Sequence, residues 1–223
     1  CDPAQSVLGR LKSNFKSVQA CDLSKTAETP LIILAVHPPA LKTVFTEMKE
    51  SVSDSSIVLS LAPKVTVAAI QSALGIRRVV RMIPNAPSAI GSGYNPVVFA
   101  EDIDSTTAQK LKSLFSPWGE SPAVPECDLE AYAILSAMGP TYLWFQWQTL
   151  REMAVNFGLS PEVADEALLA TVAGSAKLLL GDDRDPEQVM DMIPVKPLQP
   201  DEEVFRTAYS TRLTALYEKL KVN

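Results

Sequence analysis

Short apolar runs alternate with amphipathic stretches through the first half of the chain. Four mostly apolar runs, as expected of strands buried on both faces, occupy residues 31–36, 56–61, 78–83 and 94–99. Apolar residues recur at helical spacing at 6–15, 39–52, 66–74 and 104–115. Gly75 is expected to end the third of these helices, and Ser105 or Asp104 to cap the fourth. Strands that alternate with helices in this way predict parallel strands joined by crossover helices.

Beyond residue 128 the pattern indicates helices alone. Five helical segments are predicted at 128–138, 141–157, 161–180, 186–193 and 201–220. A proline-punctuated stretch at 122–125 suits a domain boundary. We therefore predict an α/β domain with a doubly wound sheet at residues 1–124 and an all-α domain at residues 125–223.

The second half carries more apolar surface than a small helical bundle buries, chiefly at 142–157 and 161–180. A homodimer interface accounts for this surface, since obligate interfaces resemble a core cut in half. The alternative is that these helices pack on the first domain.

Composition excludes several classes of protein. The chain is 47% hydrophobic, which is ample for a packed core, and its longest apolar run is too short to span a bilayer. A net charge of −6 without a basic cluster argues against a nucleic-acid or membrane partner. Three widely spaced cysteines form no disulfide framework, and a single histidine without metal-ligand neighbours predicts no metal site. We expect a cytoplasmic protein with reduced thiols, and expect more of its N-terminal part upstream of Cys1.

Two of the predicted strands run into proline-containing polar turns. One strand ends at His37-Pro38-Pro39 and another at Pro84-Asn85-Ala86-Pro87. Proline removes a backbone donor, so each strand must stop there. In open α/β sheets ligands bind at the carboxyl ends of the strands, so these turns predict a cofactor crevice.

Several segments, in order, resemble the pyrroline-5-carboxylate reductase family and related NAD(P)-dependent reductases. Those in the first half are Ile33-Leu34-Ala35-Val36-His37-Pro38, Ser60-Leu61-Ala62-Pro63-Lys64-Val65-Thr66 and Arg81-Met82-Ile83-Pro84-Asn85-Ala86-Pro87. They are similar to the family's Ala-Val-Lys-Pro, Ile-Ala-Ala-Gly-Val-Thr and Met-Pro-Asn-Thr-Pro segments. Those in the second half are Leu135-Ser136-Ala137-Met138-Gly139-Pro140-Thr141-Tyr142, Gly158-Leu159-Ser160-Pro161-Glu162-Val163-Ala164 and Ala173-Gly174-Ser175-Ala176-Lys177-Leu178-Leu179. The resemblance implies a Rossmann-type NAD(P)-binding domain, truncated at its start, followed by a helical substrate-binding and dimerisation domain.

The resemblance also implies a cofactor, NADP or NAD, and a set of residues that bind it. Those beside its ribose and nicotinamide would be Ala35, Val36, His37, Pro38, Ala62, Asn85 and Ala86. Asp2 would lie at the end of the family's second strand, where an acid binds the ribose 2′-hydroxyl of NAD. The phosphate-binding Gly-x-Gly-x-x-Gly turn would precede residue 1, because Gly91-Ser92-Gly93 lacks the third glycine.

The chemical roles leave alternatives open. His37 stands where the family has lysine, and it either donates a proton or only shapes the turn beside the cofactor. Asn85 either orients the cofactor or stabilises its own loop.

The implied substrate-binding residues are Gly139, Pro140, Thr141 and Lys196. The backbone at Gly139-Pro140 either binds a carboxylate or forms a packing kink. Lys196 either pairs with a substrate carboxylate or is an exposed loop lysine. It lies in a stretch that has lost the glycines and threonines of the family's late loop.

The leading hypothesis is an NAD(P)H-dependent reductase that transfers hydride to or from a C–N or C–O carbon of a small substrate. One alternative is a non-catalytic Rossmann-like dimer without a complete cofactor site. Another is a dehydrogenase of small hydroxy acids, which would need a catalytic lysine such as Lys177.

Overall fold

A mostly parallel sheet forms the centre of the first half of the protein in this computed structural model, which describes residues 1–221. The six strands are β1 (Leu31–Leu34), β2 (Ile57–Ser60), β3 (Val79–Met82), β4 (Gly93–Tyr94), β5 (Val97–Phe99) and β6 (Gly119–Glu120). The main sheet has the order β1-β2-β3-β5, and β1, β2 and β3 are parallel. This arrangement confirms the predicted α/β sheet.

The predicted helices occur in the predicted order, and the structure adds a short one, α2, that was not predicted. They are α1 (Gln5–Asn14), α2 (Leu23–Ala27), α3 (Pro38–Met48), α4 (Val67–Leu74), α5 (Ser105–Phe115), α6 (Leu129–Tyr132), α7 (Gly139–Asn156), α8 (Pro161–Gly181), α9 (Pro186–Met190) and α10 (Glu202–Leu220). Short 3-10 turns occur at Ala86–Ile90, Ser116–Trp118, Glu126–Asp128 and Gln199–Asp201, and a π-helical turn at Ala133–Ala137. No strand follows β6 in the described part of the chain.

The run at 94–99 differs from its prediction as one parallel strand. Pro96 divides it into β4, which pairs with β6, and β5, which pairs antiparallel with β3. Between β3 and β5 lie a 3-10 turn at Ala86–Ile90 and the short strand β4, but no α-helix. A parallel return usually uses a crossover helix, so without one the chain returns antiparallel beside β3.

Capping residues at the helix ends explain why the sequence predicted the boundaries of α4 and α5. The Thr66 hydroxyl accepts a hydrogen bond from the Ala69 amide at 3.1 Å, and Gly75 ends α4 with φ of 74°. Asp104, rather than Ser105, caps α5 by accepting from the Thr107 amide at 2.9 Å. These side chains satisfy amides that have no partner within the helix.

The core lies where α3, α4 and α5 cover the main sheet. Its buried helical residues are Leu41, Phe45, Met48, Val67, Ile70, Leu74, Leu111 and Phe115. All four residues of β3 are buried, and Arg81 is the charged one among them. Burying each aliphatic side chain contributes about 1.5–3 kcal/mol to stability. Burying a charged side chain instead costs free energy, so the Arg81 guanidinium needs hydrogen-bonded partners of opposite charge.

The chain divides into two compact units. One comprises residues 1–137 with the chain from Leu216, and the other comprises residues 138–215. The predicted domain boundary between residues 124 and 125 stays a prediction, and residues 222 and 223 of the second domain lie outside the described residues.

The second unit is helical, and its helices expose apolar side chains. No residue of α7 is buried, and its exposed large apolar residues are Leu143, Trp144, Phe145, Leu150 and Met153. No helix among the described residues has the length and apolarity needed to cross a membrane.

Candidate functional site

The carboxyl ends of the three parallel strands meet at one edge of the sheet. The strand register places Leu34 beside Ser60, and Ser60 beside Arg81. The turns that follow these positions carry Ala35 to Pro38, Ala62, and Asn85 with Ala86. The structure therefore brings together all of the predicted cofactor-binding residues except Asp2.

The turn after β1 presents His37 to solvent. His37 precedes the first turn of α3, and its carbonyl accepts a hydrogen bond from the Ala40 amide at 2.9 Å. Its imidazole makes no capping bond, and Ala35 is also exposed. The ring is thus available to a ligand, as both interpretations of His37 require.

The turn after β2 has unusual backbone geometry. Lys64 has φ of 69°, and it is the one non-glycine residue with positive φ among the described residues. Its amide donates a hydrogen bond of 3.1 Å to Oε1 of Glu130. Nearby, the Ala62 amide donates to the Ser60 hydroxyl at 3.3 Å. Because a left-handed conformation is costly for a residue with a Cβ, these bonds help to hold the turn in place.

The turn after β3 is held by two asparagines. Oδ1 of Asn85 accepts a hydrogen bond from the Tyr94 amide at 3.1 Å. Oδ1 of the fully buried Asn95 accepts from the Asn85 amide at 3.0 Å and from the Ser88 hydroxyl at 2.8 Å. The side-chain oxygen of Asn85 thus stabilises its own loop, whereas its Nδ2 makes no hydrogen bond among the described residues.

Close backbone packing between β4 and β6 supports this loop. A Cβ on Gly93 would lie 2.4 Å from the carbonyl oxygen of Trp118, the residue before β6, and a Cβ on Gly119 would lie 2.2 Å from the Gly93 carbonyl oxygen. Both distances are far inside van der Waals contact, so β4 and β6 approach closely only because both residues are glycines.

A buried ion-pair cluster is centred on Arg81, near the carboxyl end of β3. The Arg81 guanidinium donates to Glu126 at 2.8 Å through Nη1 and to Glu130 at 2.6 Å through Nη2. The Arg81 side chain is fully excluded from solvent, whereas that of Glu126 is 32% exposed. The same Glu126 oxygen accepts from the Val67 amide at 2.8 Å, at the start of α4.

Sequence reasoning missed this cluster. The available signal was Arg81 itself, since an arginine inside an otherwise apolar strand needs buried carboxylate partners. Among 26 acidic residues nothing local marks Glu126 and Glu130 as those partners. Only the path of the chain after β6 brings them to β3.

Two tyrosines lie close together next to the asparagine loop. The rings of Tyr94 and Tyr132 are 6.2 Å apart between centroids. Partial burial raises the pKa of Tyr94, and the nearby Tyr132 raises it further. Tyr94 is therefore a neutral phenol near neutral pH, suited to hydrogen bonding and packing.

The remaining predicted residues lie elsewhere. Oδ1 of Asp2 accepts from the Ala4 amide at 2.8 Å, just before α1. Gly139 and Pro140 form the first turn of α7 in the second unit, where Thr141 donates to the Met138 carbonyl at 2.6 Å. Lys196 donates to Asp191 at 2.6 Å, and this carboxylate would compete with a substrate carboxylate for its ammonium group. Lys177 is exposed on α8.

No group of three or more metal-ligating side chains occurs among residues 1–221. The polar side chains at the strand ends and in their turns include the His37 imidazole, the Lys64 ammonium group and the Asn85 amide.

Comparison with known proteins gives a consistent set of similarities. Residues 126–196 match the family described as pyrroline-5-carboxylate reductase dimerisation. The pyrroline-5-carboxylate reductase of Corynebacterium melassecola is 28% identical over 80% of this chain and 68% of its own length. That of Synechocystis is 27% identical over 73% of this chain and 61% of its own length. The chain thus spans about two thirds of these curated relatives.

Solved structures agree with these sequence similarities. A pyrroline-5-carboxylate reductase from Coxiella burnetii superposes with a TM-score of 0.66 and 27% identity, over 97% of this chain and 82% of that one. A Plasmodium falciparum pyrroline carboxylate reductase, solved with NADP bound, superposes with a TM-score of 0.78 and 22% identity, over 91% of this chain and 80% of that one. The latter likeness establishes the fold, with a Rossmann-type sheet and a helical second half.

Proposed function

Because this chain belongs to the pyrroline-5-carboxylate reductase family, we propose that the complete protein is an NAD(P)H-dependent reductase acting on a C=N bond. The observation that carries the proposal is the meeting of three strand-end turns at one edge of the sheet. When bound, the reduced dinucleotide supplies the hydride, and the protein supplies position and surroundings.

The residues at this edge suit the nicotinamide end of such a cofactor. Ala35, Ala62 and Ala86 are small, so they leave room for a ring and its ribose. The free Nδ2 group of Asn85 is a donor suited to a carboxamide or ribose oxygen, while Oδ1 is occupied by the Tyr94 amide. Asp2 would accept a hydrogen bond from the adenosine ribose 2′-hydroxyl of NAD, whereas its negative charge would disfavour the 2′-phosphate of NADP.

The names of the relatives favour pyrroline-5-carboxylate as the substrate. The backbone at Gly139, Pro140 and Thr141 would meet its carboxylate at the start of α7, where the helix dipole favours an anion. Proline has no amide proton, and the Thr141 amide already donates to the Met138 carbonyl at 2.9 Å, so the proposed donor in this group is the Gly139 amide. Lys196 would bind the substrate carboxylate only if its hydrogen bond to Asp191 breaks.

We propose that His37 shapes the turn and contacts the cofactor without transferring a proton. It is exposed and makes no capping bond, so no neighbour orients its ring for proton transfer. His37→Gln is then expected to raise the KM for the dinucleotide while leaving the pH profile of kcat in place. A flattened pH profile would instead identify His37 as an acid.

A homodimer is the proposed assembly. The apolar residues exposed on α7 need a partner surface, and exposed patches of this kind mark interfaces. Light scattering on the purified protein should give twice the chain mass, whereas a monomer would contradict the proposal. Cytoplasmic location is likewise proposed, and cell fractionation checks it.

The test of function uses the full-length protein. Titration with NADH and NADPH should show saturable binding below about 1 mM, and pyrroline-5-carboxylate should oxidise the bound dinucleotide. Asn85→Asp keeps the acceptor used by Tyr94 and removes the amide donor, so affinity should fall about tenfold. Asn14→Asp, at an exposed position on α1, serves as the matched control.

Absence of binding for both dinucleotides at about 1 mM would overturn the proposal and favour the non-catalytic Rossmann-like dimer. Turnover of a small hydroxy acid instead would favour a dehydrogenase, and Lys177→Met would then be expected to abolish it.

A further inference from the structure

Arg81, Glu126 and Glu130, called the clamp from here on, join three segments of the first unit. We propose that the clamp positions the turn at residues 63–67 for cofactor binding, with Lys64 held in a left-handed conformation. This inference rests on the proposed function, because it concerns how firmly the nicotinamide end is held. The three residues are positioning residues, since they act through the backbone of the turn.

Each carboxylate of the clamp uses one oxygen for two bonds. Oε1 of Glu130 accepts from Arg81 at 2.6 Å and from the Lys64 amide at 3.1 Å. Oε1 of Glu126 accepts from Arg81 at 2.8 Å and from the Val67 amide at 2.8 Å. The guanidinium thus fixes two carboxylates, and these fix both ends of the turn.

The geometry of the turn requires such a restraint. Lys64 has φ of 69°, a conformation in which its Cβ crowds the backbone. A glycine would adopt this conformation without that cost. With lysine at this position, the hydrogen bond from its amide to Glu130 offsets the cost, so the turn depends on the clamp.

The clamp acts as a single unit because Arg81 and Glu130 are buried together and Arg81 also pairs with the partly exposed Glu126. The side-chain exposures of Arg81 and Glu130 are 0% and 3%, and Nε of Arg81 has no hydrogen-bond partner among the described residues. Hydrogen-bonded charges in a low-dielectric site reinforce one another, and loss of one leaves the others unpaired. Arg81 itself lies on β3, three residues before Pro84, so the same unit also supports the strand that leads to Asn85.

The first experiment measures amide exchange by NMR in the full-length protein. Glu130→Gln should speed exchange of the Lys64 amide about tenfold or more, because Gln cannot pair with the guanidinium as a carboxylate does. Glu126→Gln should do the same at Val67, and its more exposed side chain makes this the variant that retains the fold if Glu130→Gln does not. Glu101→Gln, at an exposed position without a hydrogen bond among residues 1–221, should leave both amides unchanged.

The second experiment measures affinity for NADPH and separates positioning from stability. Glu130→Gln should weaken binding about tenfold, in keeping with the loss of one charged hydrogen bond. Adding Lys64→Gly should restore most of that affinity, because glycine adopts the left-handed conformation without help. Adding Lys64→Ala removes the same ammonium group but keeps the Cβ, so it should restore none.

The outcomes distinguish the inference from the function it rests on. Unchanged exchange at Lys64 in Glu130→Gln, or equal rescue by glycine and alanine, would overturn the inference while leaving the reductase intact. If the unaltered protein binds neither dinucleotide, the proposed function fails and the role of the clamp in cofactor binding fails with it.

Discussion

Arg81 and Glu130 form an ion pair of 2.6 Å whose two side chains are 0% and 3% exposed. Desolvation of two charges costs several kcal/mol, and their attraction repays this only when the geometry is good and the other hydrogen bonds are made. Here Glu126 and the amides of Lys64 and Val67 make most of those bonds, whereas Nε of Arg81 has no partner among the described residues. The pair therefore serves to specify the arrangement of the turn and β3 more than to add net stability.

Removing one member of this ion pair should strongly lower the stability of the fold. We expect Arg81→Met to lower the free energy of unfolding by about 3–5 kcal/mol, because Glu130 is left buried without its partner. The measurement is urea unfolding. Arg77→Met is the control, since Arg77 and Asp102 are 3.6 Å apart with side chains 83% and 38% exposed. An exposed pair of this kind contributes at most about 1 kcal/mol, so equal losses in the two variants would contradict the account.

The asparagine loop provides a second prediction. Asn95→Ala should cost about 1–3 kcal/mol of unfolding free energy, because the Asn85 amide and the Ser88 hydroxyl lose their acceptor. Thermal unfolding measures it, and Asn14→Ala on the exposed face of α1 is the control. A loss no greater than that of the control would show that water replaces Asn95 without cost.

Lowering the pH should reduce the stability of the fold in part through Asp104, which caps α5. Hydrogen bonds from the Thr107 amide, and then from its hydroxyl, lower the pKa of Asp104. The carboxylate therefore stabilises the folded state above its unfolded pKa, and this contribution disappears as pH falls through the lower folded pKa.

Asp104→Asn tests this direction, because the amide keeps an oxygen for the Thr107 amide and does not titrate in this range. The drop in Tm between about pH 6 and about pH 3 should be smaller in the variant than in the unaltered protein. An identical drop would contradict a role for Asp104 in the acid response.

Two glycines with positive φ should respond differently to alanine. Gly75→Ala adds a Cβ that meets nothing within 4 Å, so its cost is the left-handed conformation, about 1–2 kcal/mol. Gly119→Ala places its Cβ 2.2 Å from the Gly93 carbonyl oxygen, and the combined strain should exceed about 3 kcal/mol. Denaturant unfolding of both variants checks the ranking, and similar losses would mean that β4 and β6 separate easily.

Local features made much of the fold predictable. Strands β1 to β3 were predicted because their apolar runs end at Pro38 or Pro84, or before the capped helix at Thr66. These signals act within a few residues, so no distant partner is needed to recognise them. The wrong prediction concerned β5, whose direction depends on its pairing with β3 rather than on its own residues.

The candidate site was predictable in part for the same reason. The turns carrying His37, Ala62 and Asn85 are local, and parallel pairing places them at one edge. The sequence did not show that Oδ1 of Asn85 accepts from the Tyr94 amide while Nδ2 makes no hydrogen bond among the described residues. This arrangement depends on the fold of the whole loop. The roles of Asp2, Gly139 and Lys196 stay predictions.

By itself the sequence determined most of the element order and the turn residues, because these depend on spacing and residue type along the chain. Only the tertiary structure decided which carboxylates pair with Arg81 and why Lys64 tolerates its conformation. Glu126 and Glu130 are distant from β3 in sequence, and the energy of a buried charge depends on what surrounds it in space.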